Sequence, residues 1–420
     1  MEKIPPVPAS GVSALAQDEV ARIAGLPEVR ATFGRFRFEE PQFARWQMDV
    51  SRVPAPPFGE GQRGEWLAER FRELDLADVE VDGVGNVFGV SPGRGRRYVA
   101  LSAHIDTVFP ASTPLHIRQE GSRLYGPGVS DNGAGITAML AVAGALGSAR
   151  IEHTLPFVFI GNVGEEGEGD LRGMRHVFQT PRWADSIAYS VVVDGAGADT
   201  VVAEALGSRR FEVIARGPGG HSWSDFGTPS PIITLARAIQ ALSETPVPTS
   251  PKTTFNVGVI RGGTSVNSIP ESASMRVDLR STSMTEIDRL ERAMRIALDH
   301  AVDAENQPAA ARNPRRAQTV QYEVVEIGNR PAGELAADAQ MIKVIRAVDA
   351  QLGNTAQIQR ASTDANIPLS LGREAIAIGG GGTGGGAHTL QEWFDCQGRD
   401  LGLRRILLTM LALSALDEKV

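Results

Sequence analysis

Cysteine is nearly absent: the 420-residue chain has one, Cys396. That excludes an internal disulfide framework and any zinc finger built on cysteine. Long hydrophobic runs are missing too. The longest charge-free apolar stretch, Ile136–Leu146, falls far short of the ~20 residues that cross a bilayer as a helix. Met1–Ser10 has no apolar core and carries Glu2 and Lys3, so it does not read as an export signal. Nor is there an excess of basic charge, since 42 Lys+Arg stand against 50 Asp+Glu, for a net charge of -8. Phosphate backbones are bound by a basic stripe, so nucleic acid is not the expected partner. A cytoplasmic protein acting away from membranes and nucleic acid is the expectation. Turn formers, by contrast, are abundant, with 46 glycines and 25 prolines. Apolar residues at 42% and charged residues at 22% are an ordinary globular balance, and the length suggests two domains.

Trp66, Leu67, Phe71 and Leu74 recur at helical spacing over Arg63–Leu74. Tyr98–Ile105, Leu155–Ile160 and Ser190–Val193 are apolar runs of the kind that form strands buried on both faces. Between the first two, Ser130 is placed to cap a helix running to about Leu146. Strands alternating with helices predict an α/β domain with a mostly parallel sheet. Near Ser208 the pattern changes. Strands at Arg210–Arg216, Thr253–Ile260, Ala273–Leu279 and Thr319–Val325 enclose helices at Pro231–Leu242 and Thr285–His300. This βαββαβ order is the ferredoxin-like arrangement. The α/β pattern then resumes with a helix over about Asp338–Leu352, a strand at Glu374–Ile378 and a helix at Gly398–Leu416. The expected architecture is a discontinuous α/β domain, residues 1–207 and 327–420, interrupted by an inserted α+β domain, residues 208–326.

Five places offer metal-capable side chains at strand ends. In His104-Ile105-Asp106 the spacing of two puts both polar side chains on one face, where the carboxylate can fix the second ring nitrogen. Asp131 lies in Ser130-Asp131-Asn132-Gly133, a helix start where a carboxylate is as easily a cap. Glu165 and Glu166 stand between Gly164 and Gly167. Confinement would raise one of them into the range of a general base, whereas exposure would make them a solvated loop. Asp194 ends the run Val191-Val192-Val193, at the edge where open α/β sheets bind ligands. His388 follows Gly379–Gly386, seven glycines and Thr383 with no Lys-Ser/Thr after them, so a phosphate loop is excluded. Singly, each has an ordinary structural explanation. Together, two histidines and three carboxylates with a spare Glu and a spare Asp suit two divalent cations.

The order His104-Ile105-Asp106, Ser130-Asp131-Asn132-Gly133, Glu165-Glu166, Asp194, Gly219-Gly220-His221-Ser222 and Ala387-His388-Thr389 resembles the aminoacylase/carboxypeptidase G/peptidase T family of two-zinc metallopeptidases. The likeness runs from about Pro54 and takes in Pro56–Glu60 and Asp82–Val87. It implies that His104 and Asp194 hold one zinc, Glu166 and His388 the other, and that Asp131 bridges them. It also makes Asp106 the partner that orients His104, and Glu165 the general base. A cis peptide is implied after Asp131, although Asn132 stands where many members have Asp. His221 would reach the active site of a neighbouring subunit, making a homodimer joined through the inserted domain. Asn267 and Arg280 would contact substrate, Arg280 being suited to a carboxylate. An Asp at position 194 goes with aminopeptidases in the family, so di- and tripeptides are the expected substrates. N-acyl amino acid deacylase, carboxypeptidase and dipeptidase are the alternatives. A non-catalytic binding protein on the same scaffold would lack the base or a ligand, and here none is missing. Zinc is the expected ion, with cobalt and manganese acceptable to a carboxylate-rich site.

Overall fold

The computed structural model describes residues 2–3, 13–312 and 319–417. The chain divides into two compact units, one formed by Met1–Ala205 with Gly333–Val420 and the other by Leu206–Ala332. The inserted unit is therefore wider than the 208–326 read from the sequence. Gly207 already pairs with Ser281, and the last strand of the unit runs from Gln321 to Arg330, with Arg330 opposite Ser208. A border at residue 326 would cut a continuous ladder.

The larger unit is built on a ten-stranded sheet. At its centre Glu374–Ile378, Ile187–Val193, Tyr98–His104 and Phe157–Asn162 lie side by side and parallel. Helices cover both faces of such a centre, which is why these strands read as unbroken apolar runs; Leu101, Phe159, Val191 and Ile376 are all fully buried. Antiparallel pairs extend the sheet on one side through Val87–Ser91 to Ala77–Val81. On the other side Thr200–Ala205 and Gln357–Ala361 continue it, and Glu2–Lys3 closes the edge. Parallel central strands bring their carboxyl ends, His104, Asn162, Val193 and Ile378, to a single edge.

The helix expected to start at Ser130 begins at Gly133 instead and runs to Ala149. Asn132 caps it, its Oδ1 accepting the Gly135 N–H at 3.0 Å. No side chain fits at Gly135, because a Cβ there would lie 2.1 Å from that same oxygen. The Asp131–Asn132 peptide is cis. The helices Gln340–Leu352 and Arg399–Leu416 are tied by a buried pair, Arg405 Nε and Nη2 donating to Asp349 Oδ1 and Oδ2 at 2.7 and 2.9 Å.

A small antiparallel sheet, not anticipated from the sequence, joins Arg118–Glu120, Arg123–Tyr125, Trp393–Asp395 and Thr383–Gly385. Its strands are three residues long, too short to show a period. Among the described residues no helix is long and apolar enough to cross a membrane.

In the inserted unit four antiparallel strands lie in the order Thr253–Gly262, Ser272–Ser281, Gly207–Arg216 and Gln321–Arg330. The helices Pro231–Ser243 and Met284–Arg312 bury Leu235, Leu290 and Leu298 against Val213, Met275 and Val277. The second helix continues past the expected end at His300 through Ala301, Ala304, Glu305 and Gln307, which suit a helix interior, and it takes in Pro308 as well.

Arg405 is fully buried, and a buried cation deprived of its partner costs about 3–5 kcal/mol. Asp349→Ala should therefore lower unfolding free energy by about that amount in urea titrations followed by circular dichroism, and Asp349→Ala with Arg405→Met should recover most of it. A loss below about 1 kcal/mol for the single variant would show that the pair is not structural.

Candidate metal centre

His104 ends its strand and is buried. Its Nδ1 lies 3.2 Å from the Asp106 carbonyl oxygen. A carbonyl only accepts, so Nδ1 carries the proton and Nε2 faces the other carboxylates. The Asp106 side chain, with Oδ1 3.5 Å from the same Nδ1, also accepts the Glu165 and Glu166 N–H groups at 3.0 and 2.7 Å. Asp106 is thus a clasp between His104 and the paired glutamates.

Asp131 stands between the two histidines. Its Oδ1 is 3.1 Å from His104 Nε2, and its Oδ2 is 3.1 Å from His388 Nε2. Asp194 Oδ1 is 3.8 Å from His104 Nε2, and Glu166 Oε1 is 3.0 Å from His388 Nε2. The donor atoms of His104, Asp131 and Asp194 all lie within 4.8 Å of one another, as do those of Asp131, Glu166 and His388, and those of His104, Glu165 and Glu166. Two of these groups share Asp131.

The electrostatics show that this centre is built for positive charge. Burial pulls the His104 imidazole down, but its bonds to Asp106, Asp131 and Asp194 outweigh that and leave it well above its ordinary value. Bonds to Asp131 and Glu166 push His388 up to about 10, against burial. Burial would raise Asp131, yet the two histidines hold it well below the usual carboxylate range. Imidazole and carboxylate donors around two shared foci fit a pair of divalent ions, which would compete with these protons.

Neighbouring loops are braced by side-chain hydrogen bonds. Asn132 Nδ2 donates to the Val193 carbonyl and its Oδ1 accepts the Gly195 N–H, gripping the chain on both sides of Asp194. Asp82 Oδ1 accepts the N–H groups of Val84, Gly85 and Asn86. Asn86 then accepts the Val163 N–H at 3.1 Å, two residues before Glu165. The glycine run before His388 serves close backbone approach: a Cβ at Gly379 would lie 2.4 Å from the Ala196 carbonyl oxygen, and one at Gly381 2.4 Å from that of Arg399.

Two buried acids escaped the sequence reading, since an isolated acid carries no pattern. Burial pushes Asp364 up to about 7, against the His104 charge and the Asn162 Nδ2 bond at 2.6 Å. Burial likewise pushes Glu392 up to about 7, against bonds from three backbone N–H groups.

The remaining candidates lie in the inserted unit. His221 is exposed. Its Nδ1 accepts the N–H groups of Trp223 and Ser224 at 3.2 and 3.4 Å, so the neutral ring carries its proton on Nε2. Gly220–His221 pairs with Ser268–Ile269, and Ser222 N–H donates to the Asn267 carbonyl; His221 and Asn267 therefore share one small ladder. Arg280 is apart from them, its Nε donating to Asp278 Oδ2 at 2.6 Å while Arg210 holds the other oxygen.

A model of peptidase family M20/M25/M40 matches residues 100–411. A probable carboxypeptidase of Ajellomyces capsulatus is 28% identical over 243 residues, 54% of this chain and 55% of the relative; the chain thus spans about half the length of this curated relative. Among solved structures, a tripeptidase from Staphylococcus aureus superposes with a TM-score of 0.71 at 20% identity, covering 90% of this chain and 99% of that one. A dinuclear metal-binding peptidase from Bacillus subtilis superposes with a TM-score of 0.60 at 14% identity over 90% and 99% of the two chains.

Proposed function

We propose that this chain, which belongs to peptidase family M20/M25/M40 and is a hydrolytic enzyme, releases the amino-terminal residue of di- and tripeptides at a two-metal site. The observation that carries this reading is a cavity of about 500 Å³ beside Asp131 and Asp194. Its walls are mostly small residues, among them Gly195, Ala196, Gly384 and Ala387; they include Asp199 and no Lys or Arg. Apart from the ions themselves, a substrate carboxylate would find no cationic side chain in these walls, whereas an ammonium group would find the Asp199 carboxylate.

His104 and Asp194 would hold one ion, Glu166 and His388 the second, and Asp131 both. A bound ion pair of this kind supplies Lewis acidity and an activated water; zinc is the proposed ion, with cobalt and manganese as substitutes. Glu165, buried beside Glu166, accepts the proton of the attacking water at its carboxylate and passes it to the departing amine nitrogen. Asp106 keeps the His104 proton on Nδ1. His221 offers its Nε2–H to the carbonyl oxygen as negative charge gathers there, and it comes from the second subunit of a homodimer joined through the inserted unit. Asn267 and Arg280 contact the rest of the peptide, Arg280 by loosening its pair with Asp278. The one thiol, Cys396, is free and buried, in keeping with a reducing cytoplasm.

A carboxypeptidase or N-acyl amino acid deacylase is the second reading, favoured by the name of the Ajellomyces capsulatus relative. Free di- and tripeptides, their N-acetylated forms and N-acyl amino acids, assayed with zinc, cobalt and manganese, separate the two. Acetylation should reduce kcat/KM by at least about tenfold, the loss expected when a charge-paired contact worth over about 1.4 kcal/mol is removed. Preference for N-acyl amino acids would overturn the aminopeptidase reading.

Glu165→Gln should keep its metal content while kcat falls by about 10²–10⁴-fold. Retention of more than about a tenth of the rate would remove Glu165 as the base. For the dimer, inactive His221→Ala chains mixed with inactive Glu165→Gln chains should regain activity, because one site of each mixed dimer holds both residues intact. A mixture that stays inactive after proven exchange, or a monomer by sedimentation, would end the model of a histidine acting across subunits.

A further inference from the structure

We infer that Glu392 is a positioning residue of the metal centre, fixing the main chain that presents Asp131 and coupling it to the loop that carries His388. The inference rests on the proposed reading of Asp131 as the shared ligand. Glu392 is fully buried. Its Oε2 accepts the Gly128 N–H at 2.9 Å, and its Oε1 accepts the Ser130 and Asp131 N–H groups, both at 2.7 Å. Its own carbonyl accepts the Gly126 N–H at 2.9 Å. Four main-chain donors between Gly126 and Asp131 thus end on one residue. Gly126–Asn132 lies outside helix and strand, so no regular ladder is available to these donors, and each left unpaired in the interior costs about 1–3 kcal/mol.

On its other side Glu392 belongs to the His388 loop. Its N–H donates to the Thr389 carbonyl at 3.3 Å, and Thr389 follows His388 directly. The next residues, Trp393–Asp395, pair with Arg123–Tyr125, the strand that leads into Gly126. The two loops therefore meet at Glu392 itself. The separation between the Asp131 carboxylate and His388 Nε2, 3.1 Å, is set where Glu392 joins their backbones, although Glu392 touches neither side chain's reacting atoms.

Only a glutamate satisfies this arrangement. An ionised carboxylate presents two acceptor oxygens and no donor. Glutamine keeps one oxygen and turns an NH₂ group toward an N–H that needs an acceptor. Aspartate is one methylene shorter and cannot serve the same three donors in place.

The test titrates zinc alone, against a competing chromophoric chelator, into metal-free wild type, Glu392→Gln and Glu392→Asp, with thermal melts of each metal-free protein. Glu392→Gln should melt as a folded protein and bind at least one zinc about 10–100-fold more weakly, the loss typical when a partner behind a metal ligand is removed. Glu392→Asp, which keeps the charge, should fall between it and wild type. Folded Glu392→Gln with wild-type zinc affinity would overturn the inference while leaving the two-metal reading intact. Failure of both variants to fold would also overturn it, by making Glu392 a residue of the fold rather than of the site. A wild type that takes up no zinc would overturn the two-metal reading and this inference with it.

Discussion

Like charge gathered in a confined space is the constraint around which the larger unit is organised. Asp106, Asp131, Glu165, Glu166 and Asp194 converge at one sheet edge, with Asp364 and Glu392 close behind, and most of them are buried. Carboxylates so placed repel one another and lose hydration, and they persist only where cations or hydrogen-bond donors compensate. The two imidazoles supply part of that compensation, which is why both sit above their ordinary values. The rest comes from backbone N–H groups.

Those N–H groups explain much of the local architecture. Asp106 takes two from the Glu165–Glu166 turn, Asp82 takes three from its own loop, and Glu392 takes three from the Asp131 loop. In each case an acid accepts from donors of irregular chain, and in return the loop is held in place. Asn132 and Asn86 perform the same bracing as neutral groups: Asn132 donates to the strand residue Val193 and accepts from the helix residue Gly135, and Asn86 donates to the helix residue Gly173 and accepts from Val163. Rigid loops on a parallel sheet centre give the precision that a metal-assisted reaction needs.

The inserted unit follows a different logic. Its sheet is covered by two helices, and Leu235, Val277 and Leu279 are buried while Ile260 on the edge strand Thr253–Gly262 stays exposed. His221 and Asn267 are ordered by turn hydrogen bonds and a two-residue ladder rather than by burial. That leaves the imidazole poised as a donor at the surface of its unit. Arg280, committed to Asp278, is the less prepared of the charged candidates.

Sequence alone determined the features that depend on local pattern. Apolar runs marked the parallel strands, the βαββαβ order marked the inserted unit, and the residues after strand ends marked where donors would gather, because strand direction sends those ends to one edge. What tertiary structure decided depends on contacts distant in sequence. Asn132 rather than Ser130 caps the helix, because its side chain also reaches Val193 and Gly195 across the sheet. The ladder through Arg330 sets the end of the inserted unit. The glycine run before His388 is required by the carbonyls of Ala196 and Arg399, which come from elsewhere in the chain. Glu392 carries no local signal, since its meaning lies in three N–H groups more than 260 residues upstream, and only a folded chain brings such partners within hydrogen-bond reach.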